Sequence, residues 1–108
     1  MKPVRIGDLR RRLVLERPDD IPDGQGGVSR GWTLVDYVWT SVEPLRGVRA
    51  FEADRPASVS THRIALRWRP DLNEAMRFRD GPRLFVIHAA IDADPQRRMM
   101  ICQCEETR

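Results

Sequence analysis

Between Ser60 and Arg69 the sequence STHRIALRWR alternates without a break. His62, Ile64, Leu66 and Trp68 fall in one phase, and Thr61, Arg63, Arg67 and Arg69 in the other. A strand repeats every two residues, so the pattern predicts a half-buried strand with a cationic outer face. The previous strand ends near Glu43. Between the two lie about fifteen residues bounded by Pro44 and Pro56, long for a connection in a compact domain, and connections of that length usually carry function or are disordered. A fold built on this chain has to pair the 60–69 strand and accommodate the excursion beside it.

The remaining sequence supplies the partners. Met1 to Asp8 contains Pro3 and Gly7 and reads as an extended arm, followed by a short strand from Leu13 to Glu16. Arg17 to Arg30, RPDDIPDGQGGVSR, is a flexible loop by composition, with its prolines, glycines and three aspartates. Its Gly24-Gln25-Gly26-Gly27 lacks the Lys-Ser/Thr and helix of a phosphate-binding loop. Gly31 to Glu43 is a long strand with Trp32, Leu34, Val38 and Val42 in one phase and Val35, Tyr37 and Trp39 in the other. Apolar residues in both phases predict a bulge or burial on both faces.

In the excursion, residues 44–58, Val48 and Phe51 lie three apart and Arg49 pairs with Glu52 at the same spacing, which permits a short helix of about two turns. Gly47 weakens that helix and Pro56 stops it. Downstream, Ala75 to Arg79, Arg83 to Ile91 and Arg97 to Glu105 read as three strands of an antiparallel meander, with a turn at Asp80-Gly81-Pro82 and another at Asp92 to Gln96. Arg83 to Ile91 is apolar in both phases and is expected to be the most buried strand. Six short strands and little helix in 108 residues predict a mainly β fold: a single-domain, six-stranded antiparallel barrel, because closure removes exposed edges.

The chemistry in the chain is sparse. No nucleophile elbow or other catalytic signature is present, and there are only two histidines. Cys102 and Cys104, two apart on a strand, share a face, where a disulfide between them would be strained. Reduced thiols in a cytosolic product fit that spacing. A turn pairing Ile91 with Arg97 would set His88 opposite Met100 and diagonal to Cys102. Cys102, Cys104, His88 and His62 then form the one conceivable zinc set, but without the C-x₂₋₄-C knuckle they read as core residues, and neither metal nor cofactor is expected. No apolar run reaches the ~18 residues of a membrane span, and the N-terminus has no apolar signal region. The charge is +3, and Lys2 is the only lysine among 19 basic residues. Arginine suits bidentate contact with carboxylates or phosphates. The Arg63, Arg67 and Arg69 face could be solvated, could meet an acidic partner subunit, or could touch nucleic-acid phosphates. Trp68 lies in the opposite phase, which separates stacking surface from charge and weakens the last option.

Several segments taken together resemble the phage head–tail joining family, the small head-closure or stopper proteins of long-tailed phages and gene transfer agents. They are Gly7-Asp8-Leu9-Arg10 with Arg12-Leu13 and Leu15-Glu16; Gly26-Gly27 and then Trp32; Val38-Trp39 with Val42-Glu43-Pro44-Leu45 and Gly47; Glu52-Ala53; Thr61-His62-Arg63-Ile64 with Arg67-Trp68; Met76-Arg77-Phe78; and Phe85-Val86-Ile87 with Ile91-Asp92. None is specific alone; their order covers nearly the whole chain. The family often carries Glu where this chain has Arg49.

The resemblance implies a structural, non-enzymatic β-barrel that self-associates into a ring, expected to be a hexamer, between a portal or adaptor ring and a tail or tail-terminator protein. It implies a loop or short helix directed to the central channel that helps retain packaged DNA. In this chain that element would be the excursion, with Arg46, Val48, Arg49, Phe51 and Arg55 as the partner- or channel-facing residues and non-specific contact with packaged DNA. It places the protein in the bacterial cytoplasm during assembly and then in the particle. The alternative reading is a small nucleic-acid-binding barrel acting as a free monomer.

Overall fold

The computed structural model describes residues 5–45, 60–92, 96 and 98–107. Residues 46–59, and with them most of the expected excursion and its short helix, lie outside that set. The described elements are a 3₁₀ turn at Ile6–Asp8 and six strands: β1 Arg11–Pro22, β2 Val28–Pro44, β3 His62–Arg67, β4 Arg77–Asp80, β5 Arg83–Asp92 and β6 Met99–Thr107. Every pairing is antiparallel, and the strands close in the order β1-β2-β3-β6-β5-β4. The sequence-based expectation of a six-stranded antiparallel barrel is met, including the β4-β5-β6 meander. No helix among the described residues is long and apolar enough to cross a membrane.

The core forms where the inward phases meet. Leu13 and Leu15 of β1, Val38 of β2, Ile64 and Leu66 of β3, Phe78 of β4, Phe85 and Ile87 of β5, and Met100, Cys102 and Cys104 of β6 make one cluster. The segment joining β3 to β4 adds Leu72 and Met76. Each large side chain removed from water in this way contributes roughly 1.5–3 kcal/mol. Thr40 is the polar exception on the inner face of β2. It is fully buried, and its hydroxyl donates to the Arg11 carbonyl at 2.8 Å, so no orphan donor remains.

Three expectations are corrected. Residues 17–30 are mostly strand: Arg17 pairs with Thr33, and the ladder continues to Pro22 opposite Val28, leaving only residues 23–27 as the turn. Pro18 and Pro22 are tolerated because this half of the hairpin has free edges, where a missing N–H breaks no sheet. The turn is held by Asp23, whose carboxylate accepts from the amides of Gln25 (2.8 Å) and Gly27 (3.0 Å), with Gly24 and Gly26 at positive φ. Ile6–Asp8 is a 3₁₀ turn instead of part of an extended arm, closed by the Arg5 amide donating to the Asp8 carboxylate at 3.0 Å.

The third correction concerns β5, which is not the most buried strand. Only Phe85 and Ile87 are fully enclosed, and Ile91 is 52% exposed. A barrel buries one face of each strand, so a strand apolar in both phases still shows one of them to solvent. Between Ile87 and Ala89 the register slips by one residue, which leaves His88 unmatched and returns Ala90 to the core. Ile91 pairs with Ile101, so the expected placement of His88 opposite Met100 does not occur.

Candidate assembly surface

The outer face of β2 differs from a regular strand because of one residue. Leu15 pairs with Asp36 and Glu16 with Leu34, so Val35 is extra and turns against the core. Of the two outcomes expected from apolar residues in both phases, a bulge or burial on both faces, the bulge is the one present. It separates residues that strict alternation groups together. Val38 is buried and Val42 packs on the core, whereas Trp32 and Leu34 join Tyr37 and Trp39 on the outside. Leu34, Tyr37 and Trp39 are 43%, 51% and 58% exposed, which is unusual for side chains of this size in one row. Arginines partly cover the row: the Arg77 guanidinium lies 3.9 Å from the Trp32 ring centroid, and that of Arg12 lies 4.4 Å from the Tyr37 centroid.

Pairing between β2 and β3 stops at Thr40 opposite Leu66. Beyond that point a cavity of about 210 Å³ opens, lined by Tyr37, Val38, Trp39, Leu66, Arg67 and Arg69. Arg69 bridges the gap. It donates to Asp36 at 2.7 Å and, with both Nε and Nη2, to Asp71 at 3.0 Å. Those bonds raise the arginine's pKa further and hold both carboxyls below their ordinary range. On the far side of Trp39 a larger cavity of about 510 Å³ is lined by Ile6, Leu9, Arg10, Trp39 and Arg67.

The three arginines of the expected cationic face have different surroundings. Arg63 is paired with Glu43 at 2.9 Å, and Arg69 is engaged as above, so both are largely neutralised. Arg67 is exposed and lines both cavities. Arg46, Val48, Arg49, Phe51 and Arg55 lie outside the described residues.

The histidines and cysteines do not converge. Cys102 and Cys104 are fully buried, and burial pushes the Cys102 thiol up to about 12 and that of Cys104 higher still. His62 faces inward on β3. It lies edge-on to Phe85 at 5.1 Å, with the Thr61 hydroxyl 2.8 Å from Nδ1. Burial lowers its pKa against the opposing pull of Glu106. His88 sits on the β5 bulge with Nε2 at 2.9 Å from a Glu105 carboxylate oxygen. Among the described residues no group of three His, Cys, Asp or Glu side chains is placed to hold a metal.

Sequence reasoning did not bring Ile6, Leu9 and Trp39 together at a site. The available signal was the double-phase apolar pattern of β2, which announced the bulge without locating it. The surface offers apolar and aromatic area beside the exposed guanidinium groups of Arg10 and Arg67, which suits adhesion to another macromolecule more than a reaction.

Comparison with known proteins agrees with that character. The phage head completion protein family matches residues 4–107. A chain in the virion of a native gene transfer agent particle superposes with a TM-score of 0.68 at 29% identity, covering 92% of this chain and 96% of that one. The solution structure of protein SF1141 from Shigella flexneri 2a superposes with a TM-score of 0.71 at 26% identity, covering 95% and 96%. No curated protein matches the chain.

Proposed function

The chain belongs to the phage head completion protein family, and on that premise we propose that it is a non-enzymatic connector of a phage or phage-like particle, forming a ring between the portal or adaptor and the tail and helping to retain packaged DNA. The observation that carries this reading is the end-to-end likeness to a chain of a gene transfer agent virion. The barrel supports it physically. The closed part of the sheet has no edge to pair adventitiously, so contacts fall to its outer rows and to the hairpin that projects from it. The described surface supplies both: the aromatic row on β2 and the free outer half of the β1–β2 hairpin.

Within this reading, residues 44–58 are the channel-facing element, with Arg46, Arg49 and Arg55 meeting DNA phosphates without reading sequence and Val48 and Phe51 anchoring on a partner. The experiment is removal of the gene from the producing strain, with complementation by the full chain or by a chain in which residues 47–54 are replaced by a short Gly/Ser linker. Without the protein, heads should package DNA but lose it or fail to join tails. The linker variant should leave a folded barrel yet fail to complement. Transfer-competent or infectious particles at the wild-type level without the protein would refute the connector role.

A second reading has one observation in its favour. Trp39 is exposed beside Arg10 and Arg67, an aromatic platform next to cations of the kind that binds single strands. Salt-dependent binding of DNA by the isolated chain, in the absence of any particle component, would favour it.

A further inference from the structure

The outer half of the β1–β2 hairpin projects from the barrel. β1 is bonded to β4 only over Val14 to Glu16, and β2 to β3 only over Thr40 to Pro44, so residues 18–31 pair with nothing but each other among the described residues. A two-stranded ribbon alone in water is marginal. This one also exposes apolar side chains at its tip, with Ile21 51% and Val28 67% accessible. Its charge is net negative: residues 18–31 hold Asp19, Asp20 and Asp23 against Arg30.

The two faces of the tip are not equivalent. Ile21 folds over Gly31, where an added Cβ would stand 2.5 Å from Ile21 Cδ1, and Asp19 on the same face accepts from the Thr33 hydroxyl at 2.8 Å. On the other face Val28 pairs with Pro22 and neighbours Asp20, whose one cation is Arg30 at 3.6 Å. That face is apolar at its centre, with Asp20 beside it in a long and exposed pair with Arg30, open to exchange for another guanidinium.

The cavity of Ile6, Leu9, Arg10, Trp39 and Arg67 has the complementary character. Its walls are apolar, and its two guanidiniums have no carboxylate partner among the described residues; Arg10 donates only to the Gly7 carbonyl. About 510 Å³ is within the range of sites that enclose a small ligand or a few side chains. Val28 and Trp39 lie on the same strand, and at a strand's rise their Cα atoms are roughly 36 Å apart. A ribbon continuous with the barrel does not fold back across that span, so the tip cannot fill its own cavity.

We propose that the Val28 face of the hairpin tip of one copy of this chain seats in the Ile6–Trp39–Arg67 cavity of the next, with Asp20 against Arg10 and Arg67. The contact is heterologous, since a different surface is used on each side, and such a contact generates a ring where its rotation closes and a filament where it does not. It is small, below the ~1,000 Å² of a stable free-standing interface, so it holds chiefly when copies are already aligned. The proposal takes its setting from the ring reading above but is read out independently of it.

The test is oxidative cross-linking of the purified full chain, whose two native thiols are buried and do not compete. A Val28→Cys chain mixed with an Ile6→Cys chain should give a covalent dimer and stop there, and a chain carrying both changes should give a ladder. Arg67→Glu in the Ile6→Cys chain should abolish the dimer, and Asp20→Lys in its partner should restore it. All these positions are exposed, so the changes leave the core intact. A dimer forming no faster than that between Val28→Cys and a Glu74→Cys control would overturn the proposal. So would Val28→Cys linking faster to itself, or a dimer indifferent to Arg67→Glu. Particle competence reads the connector role and the cross-link reads this contact, so either fails without the other.

Discussion

Glu16 accepts a hydrogen bond from Arg77 Nε at 2.8 Å, across the β1–β4 seam that closes the barrel. Its second oxygen accepts from Arg79 Nε at 3.0 Å, and Arg77 also stacks on Trp32. The carboxylate is 6% exposed and lies beneath two cations at the shortest pairing in the sheet, only three residues long. Burial alone pushes its pKa up, but the hydrogen bonds and charges of Arg77 and Arg79 together bring it below the ordinary value.

Glu16→Ala should therefore weaken the closure. It leaves Arg77 partly buried without its partner, and we expect a loss of roughly 2–3 kcal/mol, less than for a fully buried pair because Arg79 is partly solvated. Urea unfolding gives the value. An unchanged midpoint would mean that the seam is held by its backbone ladder alone.

Acid should destabilise the fold in two stages. The folded pKa of His62 is lowered, so its contribution is complete above the unfolded value of 6.5 and is lost as pH falls through the folded one. Glu16 is lowered from 4.5, so its contribution is complete above that value and declines only below it. Thermal melts from neutral to acid pH should show both, and His62→Gln should remove the first while leaving the second. A profile flat from pH 7 to 5 would contradict the first assignment, and one flat from pH 4.5 downward the second.

Cys102 and Cys104 should resist thiol reagents in the folded protein and react only as it unfolds, because the core encloses them and the thiolate is suppressed. Replacing both with Ala should cost about 1 kcal/mol each through lost packing while the barrel still forms. Elemental analysis should find no zinc; one zinc per chain would reassign these residues.

Purified alone, the chain should be a monomer or a weak oligomer. The hairpin contact proposed above is too small to hold a ring without a partner to align the copies. Light scattering at micromolar concentration is decisive, and a stable ring there would contradict this expectation.

The elements that sequence revealed best are those governed by local periodicity. Ile64 and Leu66 faced the core as their alternation required, and the Asp80-Gly81-Pro82 turn formed with Gly81 at positive φ. What escaped depended on distant partners. The partners of Arg63 and Arg69 on β2, Glu43 and Asp36, were not legible because the β2–β3 pairing brings them near, whereas Asp71, the second partner of Arg69, lies only two residues on. Residues 17–30 read as a loop because proline, glycine and aspartate dominate them, yet the ladder begun at Arg11 carries them into register. Composition reports local preference, and a ribbon templated by its own root overrides it. The cavity beside Trp39 was illegible for a related reason: Ile6 and Leu9 come from a turn outside the barrel, and nothing local ties them to β2.

The extra residue at Val35 has a consequence for evolution of the arm. A bulge bends its strand and increases local twist, so it sets the direction in which the ribbon leaves the barrel. Deleting Val35 would restore strict alternation with Trp32 and Leu34 still outward, because the two-residue count from Tyr37 would then run unbroken. The arm's heading can thus change by a single-codon deletion while the side chains it displays stay the same. The side chains the arm displays are written in one set of positions and its aim in another, so a lineage can re-aim the arm without rebuilding what it displays.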